Sequence, residues 1–225
     1  MIPWKLIDTA DVPGGGEPLR LMQRGKEFSI KLGANELMNS RLHGSEEALA
    51  TLSCARIKAA PAPRLLIGGL GMGFTLRAAL KVLGPQARVT VAELVPAVIA
   101  WARGPMAELS GASLADPRVD IHEGDVVKLI AAARGTYDAI LLDVDNGPQG
   151  LTRQSNDALY DSSGLRTAFT ALRRAGVLAV WSSHPDERFA PRLRKAGFAA
   201  EEINIRATGR GGGARHVIWI ATRPA

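Results

Sequence analysis

Three acidic residues stand where apolar runs end in this 225-residue chain: Glu93, Asp125 and Asp143. Asp143 follows directly on the apolar residues 139–142, where a carboxylate without a partner or a function would be costly. Carboxylates accept hydrogen bonds from hydroxyl and amino groups, and they take up protons as general bases. Parallel strands bring their carboxyl ends to one edge of a sheet, where ligands of such sheets bind. The pattern therefore predicts a ligand site lined by acids.

A glycine-dense turn adds to this site. Apolar residues 65–67 run into the turn, a helical stretch follows, and Glu93 ends the next predicted strand. The glycines of the turn are Gly68, Gly69, Gly71 and Gly73. A doubly wound sheet holds adenosine with a fixed order of elements: a strand, a glycine turn, a helix and a second strand. An acid about 20 residues after the turn ends that second strand. Phe74 occupies the third-glycine position of the dinucleotide fingerprint, which argues against a dinucleotide. The alternative is a glycine turn that binds no ligand. Because Glu93 has the expected spacing, we favour an adenosine ligand.

The elements that must position these residues alternate from Arg64 onward. Apolar segments predict strands at 64–68, 88–92, 118–122, 138–143, 176–182, 199–206 and 215–222. Helical spacing predicts helices at 74–83, 94–109, 125–133, 164–174 and 188–196. This order predicts an α/β fold with a seven-stranded Rossmann-like sheet, mostly parallel with a reversed edge strand, as in S-adenosylmethionine-dependent transferases.

The first 45 residues have a different character. Two short alternating segments flank a turn at Gly25, which predicts a β-hairpin. We therefore divide the chain into a small β subdomain at 1–45 and a transferase-type domain at 46–225. Ser45 is a candidate N-cap for a helix at 46–57.

Composition narrows the function classes. The net charge of +6 equals the excess of eight Lys or Arg over two Glu from Arg188 onward. A basic segment can bind nucleic-acid phosphates, but few aromatic side chains for base stacking accompany it. Nucleic-acid binding is therefore a minority interpretation. One cysteine and four scattered histidines give no metal-ligand spacing. No apolar run reaches the ~18 residues that span a bilayer, so we expect a soluble, cytoplasmic protein with no membrane association and no metal.

Several segments together have a familiar pattern. They are the hairpin with Gly33 and Glu36, the strand and turn at 65–69, Glu93 to Pro96, Asp116 to Val119, Gly124 with Asp125, and Tyr137 to Asp143. In these segments the chain resembles the spermidine synthase (polyamine aminopropyltransferase) family, which has the methyltransferase fold and a small N-terminal β domain. The resemblance implies a homodimer.

The resemblance also implies roles for individual residues. Glu93 would bind the ribose hydroxyls, Asp125 with Val126 the adenine, and the glycine turn the methionine-derived arm of the cofactor. Asp143 would deprotonate an attacking amine, a task that suits a partly buried carboxylate. We place the acceptor near Glu36, Asp145, Asn146 and His184, the last because it stands at a strand end.

The chain departs from the family pattern at four places. Leu70 to Met72 lack the acid of the family's glycine loop, Asn146 replaces an Asp, and Ser45 to Glu47 replace a Tyr-His-Glu segment. Glu36 stands where the family has a Gln that contacts the cofactor. Methyl transfer from S-adenosylmethionine to a small-molecule acceptor needs fewer of these groups, and we favour it. The alternatives are aminopropyl transfer from decarboxylated S-adenosylmethionine and a non-catalytic protein that binds an adenosine ligand or acts as an interaction module. The sequence does not identify the acceptor.

Overall fold

The computed structural model describes residues 2–144, 158–207 and 214–225, and it contains two sheets. The large sheet has seven strands in the order β10-β11-β9-β8-β5-β6-β7, and the small sheet has four in the order β1-β2-β3-β4. The strands are β1 (Lys5–Ala10), β2 (Leu19–Arg24), β3 (Glu27–Leu32), β4 (Asn35–Asn39), β5 (Arg64–Gly68), β6 (Arg88–Glu93), β7 (Val119–Glu123), β8 (Tyr137–Leu142), β9 (Leu172–Ser182), β10 (Ala199–Arg206) and β11 (Arg215–Thr222). The α/β fold with a mostly parallel seven-stranded sheet is confirmed.

Helices connect the strands of the large sheet. They are α1 (Gly44–Ile57), α2 (Phe74–Val82), α3 (Pro96–Arg103), α4 (Ala107–Ser110), α5 (Val126–Ala132), α6 (Ser162–Ala171) and α7 (Phe189–Lys195), with a 3₁₀ turn at Gly111–Ala115. The single helix predicted at 94–109 is two helices, because Gly104 and Pro105 interrupt it. None of the helices in the described ranges is long and apolar enough to cross a membrane.

The reversed strand lies one position inside the sheet rather than at its edge. β11 pairs antiparallel with both β9 and β10, so β10 is the outer strand. Burial explains the order: β11 is buried continuously over residues 217–221, whereas most positions of β10 are exposed or half-buried. A strand that is apolar on both faces belongs inside a sheet covered by helices.

The core lies on both faces of the large sheet. Successive residues of β5 point to opposite faces, so Leu65 and Ile67 join one buried cluster and Leu66 joins the other. The small sheet packs on the first of these faces through Leu21 and Ile30. In β1, Asp8 also accepts a hydrogen bond from Nε1 of Trp101 in α3 at 2.7 Å.

The small sheet is more extensive than the predicted hairpin. The hairpin itself is present as β2 and β3, and β1 and β4 add a strand on either side. The partial exposure of β1 along its length explains why its residues gave no clear alternation of apolar and polar side chains.

Candidate functional site

A cavity lies at the carboxyl ends of the central strands, between the large sheet and the small one. Its floor consists of the turn after β5 and the ends of β6, β7 and β8. The small sheet covers it with the apolar side chains Leu19, Ile30, Leu32, Leu37 and Met38. This is the edge at which ligands bind in open α/β sheets.

The turn after β5 requires glycine where it meets other backbone. Gly69 has φ +89°, and a Cβ there would lie 2.3 Å from the carbonyl oxygen of Asp143. Gly71 has φ +52°, and a Cβ there would lie 2.9 Å from the end of the Met38 side chain. Both glycines line the cavity, whereas Gly68 and Gly73 are not among its lining residues. Gly68 is packed against Val126, and contact of the four glycines with a cofactor stays a prediction.

Glu93 ends β6 with a buried carboxylate that holds two loops. Its Oε2 accepts a hydrogen bond from the amide of Leu70 at 2.9 Å, and its Oε1 accepts one from the amide of Val95, also at 2.9 Å. Burial raises the pKa of Glu93, and the hydrogen bonds from the backbone amides oppose that rise. The backbone amides of Gly71 and Leu94 also act on this carboxylate, and Glu93 lines the cavity, where a ribose can meet it.

Asp125 has a structural role and a place in the cavity at once. Its Oδ1 accepts a hydrogen bond from the amide of Val127 at 2.9 Å and so caps α5. Oδ2 has no hydrogen bond to any residue of the described ranges, and Asp125 and Val126 both line the cavity. The cap fixes the carboxylate in a position where it can meet a ligand.

Two further carboxyl groups meet at the end of β8. Asp143 accepts a hydrogen bond from the Thr75 hydroxyl at 2.5 Å, and burial raises the pKa of Asp143 to about 6. Glu46 stands in the first turn of α1, where burial and then the charge of Asp143 raise the pKa of Glu46 to about 7. Neighbouring carboxylates in a poorly solvated place resist ionising together, and a bound cation relieves both effects. The pair therefore favours a cationic ligand.

Two predicted acceptor residues lie elsewhere. The carboxylate of Glu36 accepts hydrogen bonds from the Ser29 hydroxyl at 2.6 Å and the Asn39 amide at 2.8 Å, so it holds the small sheet together and does not line the cavity. His184 is exposed, with Nδ1 2.8 Å from the Ser183 hydroxyl, and it too is absent from the lining. Predicted contacts at Asp145 and Asn146 fall outside the described residues.

The positions of three residues in this region could not be predicted from residue type. Glu46 lies in the first turn of α1, and the sequence does not show that this turn lies close to Asp143. Trp181 lines the cavity from the end of an apolar strand that seemed to serve the core alone. Ser45 is wrong as an N-cap: α1 begins after His43 without a side-chain cap, and the Ser45 hydroxyl bonds to Glu46 and His216 instead.

The strand order and the covering small sheet define a methyltransferase-like α/β fold, and solved structures share it. A crystal structure of spermidine synthase in complex with the transition-state analogue AdoDATO superposes with a TM-score of 0.76 at 19% identity, over 97% of this chain and 72% of the other. Spermidine synthase of Thermotoga maritima gives a TM-score of 0.76 at 18% identity over the same shares. An O-methyltransferase of Streptomyces achromogenes gives 0.55 at 17% identity, over 80% of each chain.

Sequence comparisons identify the family. The model of the spermine/spermidine synthase domain matches residues 44–189. Polyamine aminopropyltransferase 1 of Streptomyces coelicolor is 32% identical over 160 residues, which are 64% of this chain and 28% of that protein. The polyamine aminopropyltransferase of Sulfolobus acidocaldarius is 31% identical over 121 residues, 54% of this chain and 38% of the relative. The chain belongs to the spermine/spermidine synthase family, and it matches well under half the length of these curated relatives. Methyl transfer, which the sequence led us to favour, finds no support among them.

The Gly69 contact can be tested by substitution. We expect Gly69→Ala to lose about 1–2 kcal/mol of unfolding free energy through its positive φ, and a further ~1–3 kcal/mol because the new methyl group meets backbone. Gly15→Ala is the matched control, since Gly15 has φ +86° and no atom within 4 Å of its Cβ position. Urea denaturation measures both variants, and equal losses would contradict the steric argument.

The acid pair predicts a pH dependence of stability. Because the folded state raises the pKa of Glu46 from 4.5 to about 7, it binds more protons than the unfolded chain in that window, and stability falls as pH rises through it. We expect Glu46→Gln to lose less unfolding free energy than the wild type between pH 5 and pH 8, as measured by urea denaturation. Glu27→Gln is the control, since Glu27 pairs with Arg24 in the small sheet and is not among the groups that act on Glu46, and it should behave as the wild type does. An unchanged pH dependence in Glu46→Gln would refute the buried pair.

Proposed function

We propose that this protein transfers an aminopropyl group from decarboxylated S-adenosylmethionine to an amine acceptor. The observation that carries the proposal is the charge of the cavity. Its described lining includes five carboxyl groups and no lysine, arginine or histidine. The five are Glu17, Glu46, Glu93, Asp125 and Asp143. Membership of the spermine/spermidine synthase family supports the same reaction.

The charge of the cavity separates the two possible donors. S-adenosylmethionine carries a carboxylate on its methionine-derived arm, and none of the described cavity residues offers that group a cation. The decarboxylated donor carries only a sulfonium and an ammonium, both of which a carboxyl-lined cavity stabilises. The geometry therefore favours aminopropyl transfer over methyl transfer.

The residues at the strand ends fit the nucleoside part of the donor. The Glu93 carboxylate, which backbone amides hold at the end of β6, lies where ribose hydroxyls would meet it, and Asp125 has one oxygen with no bond within the described protein for an amino group. The turn at Gly69 and Gly71 brings backbone close to the same space without side chains. When bound, the donor supplies a carbon that its sulfonium activates for attack.

The acid pair serves the acceptor. An amine approaches as an ammonium ion, and Asp143 with Glu46 can bind that charge and accept a proton from it, because their raised pKa values lie near neutrality. The amine nitrogen then forms a bond to the propyl carbon beside sulfur, that carbon's bond to sulfur breaks, and the sulfur keeps the electron pair as a neutral thioether. Phe74 and Trp181 supply apolar and aromatic wall on the same cavity. Aromatic faces also stabilise ammonium ions.

The donor preference gives the first test. We expect decarboxylated S-adenosylmethionine to raise the midpoint of thermal unfolding more than S-adenosylmethionine at equal concentration; at ~100 times its dissociation constant a ligand stabilises the fold by roughly 2.7 kcal/mol. With the decarboxylated donor and a panel of diamines and monoamines, mass spectrometry should detect methylthioadenosine and an acceptor heavier by one aminopropyl group. Formation of S-adenosylhomocysteine and a methylated acceptor instead would overturn the proposal.

The role of Asp143 and Glu46 gives the second test of the proposed function. We expect Asp143→Asn and Glu46→Gln each to lower kcat by about 10²- to 10⁴-fold, the usual range for losing a general base. Glu47→Gln, next to Glu46 in sequence but paired with Arg77, should stay within about twofold of the wild type. Initial rates with the best acceptor of the panel measure all three, and near-normal rates in both amide variants would exclude the pair from the reaction.

A further inference from the structure

A chain of hydrogen bonds leads from the cavity to His216 at the start of β11. The Ser45 hydroxyl lies 2.6 Å from Oε2 of Glu46 and 2.8 Å from Nδ1 of His216. Ser45 has no exposed surface, whereas His216 is partly exposed. The three side chains thus join a cavity carboxyl group to an imidazole that can exchange protons with solvent.

The fold holds this chain in place from several sides. The amide of Gly44 donates to the carbonyl of Ala207 at 2.9 Å, which fixes the start of α1 against the end of β10. The Trp181 ring meets the His216 ring edge to face, with centroids 4.8 Å apart. Ser45 and His216 are 171 positions apart in sequence, so their contact exists only in the folded protein. The helix start gains no cap from Ser45, and the hydroxyl is committed to the chain instead.

A hydroxyl has one hydrogen, so Ser45 can donate to only one of its two partners at a time. In one arrangement His216 donates to Ser45, and Ser45 donates to the Glu46 carboxylate. In the other, protonated Glu46 donates to Ser45, and Ser45 donates to His216. A concerted shift of two protons converts the second arrangement into a Glu46 carboxylate and a His216 imidazolium, with Ser45 unchanged.

We propose that Ser45 and His216 carry the proton taken from the acceptor amine out of the cavity, from Glu46 to solvent. This inference rests on the aminopropyl transfer proposed above. Glu46 gives its proton to Oγ of Ser45 while Ser45 gives its own to Nδ1 of His216, and the imidazolium releases a proton to water. The imidazole then exchanges its remaining proton between its nitrogens through water before the next turnover. Ser45 and His216 are positioning residues in this scheme, because they act through Glu46 and do not line the cavity.

The electrostatic surroundings suit a transient proton carrier. Burial, and then the nearby His184, lower the pKa of His216, so the ring is neutral at neutral pH and returns a received proton readily. Glu46 faces it through Ser45 on α1, and His184 faces it from the end of β9. The imidazole also packs against the uncharged ring of Trp181, and Ile205 is the residue that pairs with His216 across β10 and β11.

The first experiment needs no turnover. In protein labelled with ¹⁵N-histidine, nitrogen shifts of His216 are followed against pH, with assignment by loss of the signal in His216→Asn. We expect a second inflection in the His216 curve where Glu46 titrates, near pH 7. It should vanish in Ser45→Ala and Glu46→Gln. Ser53→Ala is the matched control, because it removes another buried hydroxyl of α1 that bonds only to the Leu49 carbonyl, at 2.6 Å, and it should keep the inflection.

The second experiment measures turnover with the decarboxylated donor. We expect His216→Asn, which keeps a hydrogen bond to Ser45 but carries no proton, and Ser45→Ala to lower kcat at least about tenfold with little change in KM. Ser45→Thr should retain most of the rate, and added imidazole should restore part of it to His216→Ala. A purely structural link would lower stability without rescue by imidazole.

The two experiments separate this inference from the function it rests on. If the wild type transfers no aminopropyl group yet the shared inflection appears, the proposed function fails while the proton connection stands. If the wild type is active but His216→Asn matches its kcat and the His216 curve is the same in Ser45→Ala, the relay is refuted.

Discussion

The carboxylate of Glu93 is the interaction on which the rest of the site depends. One oxygen holds the amide of Leu70 in the turn after β5, and the other holds Val95 at the start of α3. An acid buried at a strand end is tolerable only when such donors replace water. By holding both loops, Glu93 fixes the turn that passes under Met38 and against the backbone of Asp143. The positions of the glycine turn, the small sheet above it and Asp143 are therefore coupled.

The small sheet completes the cavity because the two sheets share a core. Leu19, Ile30 and Leu32 present the inner face of the hairpin to the turn after β5, so apolar side chains cover the acids beneath. Poor solvation strengthens electrostatic interactions. Burial raises the pKa of both Glu46 and Asp143, and the charge of Asp143 adds to the rise at Glu46.

Sequence reasoning succeeded where the signal was local and failed where it was not. The strands of the large sheet could be predicted because each is a short apolar run, and Glu93, Asp125 and Asp143 could be placed at one edge because parallel strands end together. The hydrogen bonds of Glu36 to Ser29 and Asn39 could not be predicted, because they depend on how β3 and β4 pair. Ser45 was read as a cap because residue type suggests one, while its true partner His216 lies at the other end of the chain. The preference for methyl transfer also came from single sequence positions, namely the family acids that this chain lacks. It did not take account of the cavity, which brings Glu46 close to Asp143 and includes no described cation.

The charge of the cavity also bears on how a turnover ends. In the proposed reaction the donor enters with a positively charged sulfur and leaves as a neutral thioether, while the surrounding carboxyl groups stay where they are. The electrostatic attraction that helps hold the nucleoside before transfer is therefore lost in the same step that breaks the carbon–sulfur bond. The proposed contacts of Glu93 and Asp125 with the adenosine would be common to both forms. A cavity whose described lining has carboxyl groups and no fixed cation would thus release its spent nucleoside more readily than the intact donor.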